Sequence, residues 1–445
     1  MTPDSIDLRR RLDDMPISRL HVAVICLCSL AFAFDLLEIA LGGALSAIFS
    51  VTSDPANRSA LPWLLASVYI GAVMGAPIFG RAADRYGRQP ALVAALVMLA
   101  LCSIGEAASP DVWWLAGWRT ASGLALGAYP PLVIAYLTEL LPARQRGRLI
   151  LLVSGIACLG APAGIFLVRA LTPIKPLGID GWRWAFLLGS IGSATCAIGF
   201  ARLPESPVWL ASRRQFDRAL RNCDRLACFP RIALAPSVTQ REDAPLHAHA
   251  SVAPPAPSGD RRGMVMFSLL SFLCPWSNVA FPLLSGALLM QKGLGLQNSL
   301  LLVGLAMFGP ALSAPLCLVI DRLPRRLVLG ACSLAMVGLA ALFISSDIPA
   351  VLVVTGALFT FTAAVVVPVM NIYGAELFTT RTRGSRISTA WMFNRIGAVL
   401  APLALVPVLH VAGGSLLFAA IAATLVASAG LLAFSPRGRA QLPVD

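Results

Sequence analysis

The chain contains few charged residues. They make up 13% of its 445 residues, whereas hydrophobic residues make up 57%. A soluble domain of this length ordinarily carries about twice that share of charge on its surface. Lysine is almost absent, with 2 residues against 33 arginines. The composition therefore indicates a chain that lies mostly in lipid.

The cysteines and histidines form no recognisable site. No C-x-x-C spacing occurs among the ten cysteines, which argues against a zinc site or a disulfide framework. Of the four histidines, His247 and His249 stand in a stretch rich in alanine and proline. The polar segments show no nucleophile–base pair and no phosphate-binding loop. The sequence thus predicts no enzyme, no metal site and no cofactor.

Twelve apolar runs have about the 20 residues that a helix needs to cross a bilayer. They are too long for the strands of a membrane barrel and do not alternate. The runs fall into two groups of six. Their predicted bounds are 20–48, 60–82, 90–108, 112–141, 148–171, 182–203, 264–290, 297–320, 326–345, 349–378, 386–411 and 414–434.

The predicted fold is an all-α membrane protein built from two six-helix repeats. The first apolar run follows a polar stretch that lacks the features of a signal peptide, so we expect a retained span. In the middle stretch, Arg213 to Ala227 has the spacing of an amphipathic cytoplasmic helix. The predicted segments are an N-terminus (1–19), a bundle (20–203), a linker (204–262), a second bundle (263–435) and a tail (436–445).

The basic residues are distributed unevenly between the two sides of the predicted bundle. Twenty-eight lie in the termini, the middle stretch and the links after runs two, four, eight and ten, and five lie in the other links. This is the positive-inside pattern, which predicts an inner-membrane protein with both termini in the cytoplasm. The positive charge follows topology, so we expect no nucleic-acid partner.

Two motifs recur at an offset of 237 residues, which indicates an internal duplication. The first copy runs from Asp84-Arg85 to Tyr136, Glu139 and an Arg-x-Arg-Gly element. In the second copy the matching residues are Asp321, Arg322, Tyr373, Glu376 and Arg383. Repeats of this kind in a membrane protein place a transport site at the interface between them. The sequence therefore predicts a transporter.

The loop after the second run resembles the G-x-x-x-D-R-x-G-R motif of the major facilitator superfamily. We expect Gly80 to allow close helix approach, Gly87 a tight turn, and Asp84 to accept hydrogen bonds from a neighbour. The second copy departs from the motif at Cys317 and Pro324. The resemblance implies a cytoplasmic gate, in which Glu139 and Glu376 pair with Arg146, Arg383 or loop arginines. The predicted gate residues are Gly80, Asp84, Arg85, Gly87, Arg88, Glu139, Arg146, Asp321, Arg322, Glu376 and Arg383.

Further motifs narrow the resemblance. Pro204 to Leu210 resembles a heptapeptide shared by sugar porters and metabolite:proton symporters, but the terminal motif of sugar porters is absent. In the first run, Asp35 and Glu38 resemble the D-G-x-D pattern of aromatic acid:proton symporters, with Leu36 in place of the glycine. Arg119 and Glu139 match that family's arginine and glutamate in the fourth run. This resemblance implies proton-coupled uptake of an aromatic or related carboxylate.

Ionisable side chains inside apolar runs are costly and usually face a cavity or a partner. Asp35 and Glu38 share one helical face and are predicted proton carriers, with structural ion pairs to arginine as the alternative. Arg119 is either an anion clamp or the partner of Asp35, and Arg395 is a second candidate clamp. The full set of predicted substrate contacts is Arg119, Arg395, Asn278, Asn371 and Trp391.

We therefore predict a secondary transporter that works by alternating access, with a small organic anion, protons and membrane lipid as its partners. We expect it to be a monomer. The alternative is proton-driven efflux of drugs or metabolites. The fifth run matches the drug:proton antiporter motif only in part, over Gly160 to Gly164, which favours uptake.

Overall fold

The computed structural model describes residues 11–13, 15–50, 55–227, 260–313, 315, 323–378 and 380–435. Side chains are not described at 55–58, 144, 260, 375 and 380–385. Of the predicted gate residues, Asp321 and Arg322 lie outside the described residues, as does the side chain of Arg383.

The described residues form membrane-length helices in the predicted order. Eleven helical stretches are long and apolar enough to cross a membrane, and the last of them contains two spans. In the first half, spans 1 to 6 are Arg19–Ser50, Pro55–Tyr86, Arg88–Ala108, Val112–Leu140, Ala143–Ala157 with Gly160–Ile174, and Gly181–Ala201. In the second half, span 7 is Asp260–Leu273, Pro275–Asn278 and Ala280–Gln291, span 8 is Leu296–Ala306 with Gly309–Ser313, span 9 is Arg325–Ser345 and span 10 is Pro349–Leu377.

Spans 11 and 12 form one helical stretch, Thr380–Phe434, which is broken at Gly413. Gly413 has a φ of 75°, a backbone conformation that glycine adopts readily because it has no Cβ. The break falls between the two runs that the sequence predicts at 386–411 and 414–434. The predicted all-α fold with twelve spans is confirmed.

An amphipathic helix follows span 6. Two short helices, Pro207–Ser212 and Phe216–Ala227, occupy the start of the predicted linker. The second is amphipathic: it buries Ala219, Cys223 and Leu226 against the core of the first half. It therefore covers the end of the bundle with one face and keeps its arginines exposed.

Spans 2 and 4 pack with almost no side chains between them. A Cβ on Gly123 of span 4 would lie 2.2 Å from the Val68 carbonyl oxygen, and one on Gly75 of span 2 would lie 1.9 Å from that of Leu124. The spacing Arg119-x-x-x-Gly123-x-x-x-Gly127 predicts a flat packing face. Span 2 is the partner of that face, and the close packing fixes the rotation of span 4 and hence the direction of Arg119.

Spans 1 and 7 meet at equivalent points of the two repeats. Ser46 Oγ donates a hydrogen bond of 2.5 Å to the carbonyl oxygen of Leu283, which stands 237 residues later. A second hydrogen bond between the halves runs from Arg169 Nε to the Gln297 carbonyl oxygen, at 3.1 Å. Both contacts lie on the side of the bundle opposite the one where span 1 begins and span 12 ends. In this structure the halves are therefore closed together on that side.

Candidate functional site

Three buried charged residues of the first half come together in one cluster. Glu38 of span 1, Glu106 of span 3 and Arg119 of span 4 are only 1%, 0% and 2% exposed. Arg119 Nη1 lies 3.8 Å from Glu106 Oε2, and Arg119 Nη2 donates to the Glu38 carbonyl oxygen at 3.2 Å. The Arg119 guanidinium carbon also lies 5.5 Å from the centre of the Phe186 ring. The guanidinium is thus enclosed on several sides by protein.

Two serines complete this cluster. Ser103 Oγ donates to Glu38 Oε1 at 3.2 Å, and Ser122 Oγ donates to Glu106 Oε1 at 2.7 Å. Within the described part of the chain, Glu106 Oε2 and Arg119 Nη1 have no hydrogen-bond partner. Polar atoms buried in this way are costly unless a partner reaches them. Glu106 Oε2 is therefore available to bind a proton or accept a hydrogen bond, and Arg119 Nη1 is available to donate one.

Glu106 is not among the site residues predicted from the sequence. It is the one acid in the predicted third run, and the cost of burying an acid there was a usable signal. The sequence predicts Asp35 as one possible ion-pair partner of Arg119. In the described structure the acid within salt-bridge distance is Glu106. Because Arg119 is enclosed and paired, a substrate does not reach it in this conformation.

Asp35 lies one turn from Glu38 and faces the other half. It is fully buried, and among the described residues neither carboxyl oxygen has a hydrogen-bond partner. Asp35 interacts electrostatically with Arg395 of span 11. Tyr69 of span 2, which is also not among the predicted site residues, interacts electrostatically with both Arg119 and Arg395. Asp35, Tyr69 and Arg395 thus connect the two halves near the middle of the bundle.

Arg395 has no hydrogen bond or salt bridge to any described residue, and its side chain is partly exposed. One turn nearer the start of span 11, the partly exposed Trp391 donates from Nε1 to Asn371 Oδ1 of span 10 at 2.9 Å. Asn278 lies elsewhere. Its Nδ2 donates to the Ala363 carbonyl oxygen at 3.3 Å, and it lines a small cavity inside the second half. Trp391 and Asn371 thus form a hydrogen-bonded pair one turn from Arg395, whereas Asn278 bonds to a different part of span 10.

The predicted gate acids that the structure describes pair with arginines at the starts of spans 3 and 9. Arg88 lies 2.7 Å from Asp84 and 3.1 Å from Glu139. In the second half, Arg325 lies 3.4 Å from Glu376, and both residues are offset by 237 from the first pair. The salt bridge is therefore duplicated along with the motif.

Arg146 takes a different partner from the predicted one. It donates to the Leu141 carbonyl oxygen at 3.0 Å and lies 3.4 Å from Asp13. Arg85 lies over the Tyr86 ring, 5.2 Å from its centre. Arg146 therefore connects the end of span 4 to the segment before span 1, and Arg85 contacts its own neighbour in the chain. The salt bridge with Glu139 is made by Arg88.

The heptapeptide after span 6 binds to the loop motif. The Glu205 carboxylate accepts hydrogen bonds from the backbone N–H groups of Arg88 and Gln89 at 3.1 and 3.2 Å, which caps the start of span 3. Tyr136 Oη donates to the Pro204 carbonyl oxygen at 2.6 Å. Burial raises the pKa of Glu205 above its ordinary value, while the N–H donors oppose that rise. The two motifs form one structural unit at the end of the bundle that carries the termini.

The two motif glycines have different surroundings. Gly87 has a φ of 118°, and a Cβ there would lie 2.1 Å from Glu205 Oε2. The turn therefore depends on glycine. At Gly80 no described residue lies within 4 Å of the Cβ position, and the predicted close helix approach there stays a prediction.

Comparisons with known proteins agree with this architecture. The chain is similar to the niacin transporter of Acinetobacter baylyi, with 29% identity over 48% of this chain and 47% of that protein. The chain thus spans about half the length of that relative. It is also similar to the gallate transporter of Pseudomonas putida, with 28% identity over 98% of this chain and 96% of that protein.

Among solved structures, a D-xylose–proton symporter matches with a TM-score of 0.72 and 18% identity, over 94% of this chain and 99% of that one. At that identity the match shows the fold alone. A family profile described as "Sugar (and other) transporter" matches residues 21–435. The chain therefore belongs to the sugar (and other) transporter family of the major facilitator superfamily, whose members are multi-pass membrane transporters and not enzymes.

Proposed function

We propose that this transporter takes up a small aromatic carboxylate together with a proton. The observation that carries the proposal is the position of Arg395, a partly exposed guanidinium with no hydrogen bond or salt bridge to any described residue. It interacts electrostatically with Asp35 across the interface between the halves. A planar guanidinium binds a carboxylate through two parallel hydrogen bonds.

Proton and substrate binding are coupled through this pair. While Asp35 is ionised, its charge balances that of Arg395. Protonation of Asp35 leaves Arg395 without a counter-charge, and the substrate carboxylate then supplies one. Binding of the anion and the proton together leaves the charge at the interface unchanged. The loaded site therefore avoids an uncompensated charge when the halves move.

The aromatic preference rests on side chains near Arg395 and on the relatives. Trp391 stands one turn before Arg395 on the same helix, and Tyr69 interacts electrostatically with Arg395. Both supply aromatic rings, which stack on other rings in offset or edge-on geometries. Niacin and gallate, which the two named relatives carry, are both aromatic carboxylates. A bare sugar lacks the negative charge that Arg395 would pair with.

The proposed ratio of one proton to one substrate anion has a measurable consequence. One proton carried with one monovalent anion moves no net charge, so membrane potential does not drive accumulation. A pH difference of one unit then supports accumulation of about tenfold.

Uptake into liposomes tests the proposal. Purified protein is reconstituted and given labelled niacin, gallate or benzoate, with xylose as the uncharged comparison. We expect aromatic carboxylates to accumulate when the lumen is alkaline, with no response to an imposed potential. Accumulation of xylose alone, or accumulation that ignores the pH gradient, would contradict the proposal. Accumulation only with an acidic lumen would indicate the efflux mode instead.

Two variants assign the roles. Arg395→Gln should weaken carboxylate binding about 10- to 100-fold, because a hydrogen-bonded charge contributes about 1.5–3 kcal/mol. Asp35→Asn should keep substrate exchange at equal pH but lose pH-driven accumulation. The matched controls are Arg202→Gln at an exposed arginine and Asp111→Asn, which keeps the oxygen that accepts from the Trp114 N–H group. Full accumulation by Asp35→Asn would exclude Asp35 as the coupling acid.

A further inference from the structure

The cluster of Glu38, Glu106 and Arg119 has an unequal number of opposite charges. Two carboxyl groups and one guanidinium are enclosed together, none more than 2% exposed. If both acids were ionised, the cluster would hold one uncompensated negative charge. Burying an unpaired charge costs several kcal/mol even after the protein relaxes. One bound proton makes the cluster neutral.

The hydrogen bonds show where such a proton fits. Ser103 and Ser122 occupy one oxygen on each acid, Glu38 Oε1 and Glu106 Oε1. Glu106 Oε2 is left without a hydrogen-bond partner among the described residues. Both residues lie beside the Arg119 guanidinium, which is 3.8 Å from Glu106 Oε2 and donates to the Glu38 carbonyl oxygen. One proton bound by the two carboxyl groups makes this cluster neutral, and Glu106 Oε2 is an oxygen that the serines leave available to hold it.

We propose that Glu38 and Glu106 form a single proton-binding site with Arg119 as its counter-ion, and that the one coupled proton passes between this pair and Asp35, one turn away on span 1, which makes Glu106 a second residue of the coupling path. The coupling role rests on the proposed proton-driven uptake. In this conformation the pair holds one proton. When the proton leaves, Arg119 must balance two carboxylates, so its position relative to span 1 has to change.

Other ionisable groups around the pair do not supply the missing charge. Cys102 of span 3 interacts with both acids, Tyr69 of span 2 interacts with Arg119, and Asp35 lies one turn away on span 1. Span 6 contributes the Phe186 ring and the backbone of Gly189, which approaches Glu38. None of these groups is a cation. Arg119 is the cation in direct contact with the pair among the described residues.

The cluster is joined to the contact between the halves through Gly42. A Cβ on Gly42 of span 1 would lie 3.7 Å from Arg119 Nη2 and 3.0 Å from Leu283 Cδ1 of span 7. Leu283 is also the residue whose carbonyl accepts from Ser46. A shift of Arg119 relative to span 1 is therefore transmitted directly to the place where spans 1 and 7 meet.

Infrared titration tests the shared proton without any substrate. The measurement follows the C=O stretching band of protonated carboxyl groups in liposomes, in an Asp35→Asn background that removes the other buried acid of span 1. We expect the band to be lost in Glu106→Gln and equally in Glu38→Gln, because a single remaining acid is ionised opposite Arg119. Asp111→Asn is the control and should leave the band in place. Persistence of the band in Glu106→Gln overturns the inference.

Transport separates this inference from the proposed function. In an otherwise wild-type protein, Glu106→Gln should keep exchange at equal pH and lose the roughly tenfold accumulation expected for one pH unit. Glu106→Asp, which restores a carboxyl group, should recover part of it. Full accumulation by Glu106→Gln overturns the coupling role. If the wild-type protein takes up no carboxylate, the proposed function fails, and the infrared band still decides whether the pair holds a proton.

Discussion

At the scale of single residues, Gly80 and Gly87 belong to one motif but do different physical work. Gly87 needs a left-handed backbone and lies directly against Glu205, whereas Gly80 has free space around it. The sequence predicts a close helix approach at Gly80 and a tight turn at Gly87. The packing of Glu205 on the loop constrains Gly87, and no described residue packs against the Cβ position of Gly80.

Alanine substitution should separate them in stability. Gly87→Ala forces a Cβ toward the carboxylate and strains the backbone, which together cost about 1–3 kcal/mol. Gly80→Ala is the matched control and should be neutral or slightly stabilising, because alanine favours a helix. Thermal unfolding in detergent measures both. Equal melting temperatures for the two variants would show that the left-handed turn at Gly87 is not needed.

For the buried charged residues, the sequence identifies the residues and the structure identifies their partners. Burial cost marks Asp35, Glu38, Arg119 and Arg395 from the sequence, because each interrupts an apolar run. Their partners could not be read in the same way. Arg119 meets Glu106 and Asp35 faces Arg395, since pairing depends on the rotation of each helix about its axis. That rotation is set by packing across the whole bundle.

At the scale of helices, the packing of spans 2 and 4 holds the buried cluster in place. Small residues spaced four apart predict a packing face, and span 2 fills it with backbone contacts. A glycine to alanine change at such a contact introduces a methyl group where no space exists. The helices must then separate, and Arg119 moves with span 4.

Gly123→Ala should therefore destabilise the protein by about 1–3 kcal/mol, the usual cost of overpacking. Gly117→Ala on the same helix is the control, because nothing lies within 4 Å of its Cβ position. The measurement is thermal unfolding of the two purified variants. If Gly123→Ala melts with Gly117→Ala, the close packing is not needed for stability.

At the scale of the whole molecule, the halves are held together on the side opposite the termini. The contact is shaped by small residues: a Cβ on Gly286 would lie 3.0 Å from both Ala47 Cβ and the Gly43 carbonyl oxygen. A transporter that works by alternating access must open this contact during its cycle. Its strength therefore sets the balance between the two orientations.

Gly286→Leu should shift that balance toward the state that is open on this side. If the added side chain costs about 1–2 kcal/mol in the closed state, the open population rises about 5- to 30-fold. A Ser46→Cys reporter in a cysteine-free background should then react faster with an impermeant maleimide. Gly338→Leu, at a glycine with no neighbour within 4 Å, is the control. Unchanged labelling would show that this contact does not limit opening.

The sequence by itself determined the number of spans, their division into two repeats and the motifs at the ends of the helices. The length of each apolar run and the fixed offset between the two motifs can be read along the chain. Because the hydrocarbon core of a bilayer offers no hydrogen-bond partners, an apolar run of this length forms a helix, in which the backbone groups bond to each other. The tertiary structure decided which buried charges meet. Glu106 pairs with Arg119, and Asn278 bonds to the Ala363 carbonyl oxygen inside the second half. Glu139 and Glu376 form salt bridges with Arg88 and Arg325. Contacts between helices depend on rotation and depth, which arise only when all the faces pack at once.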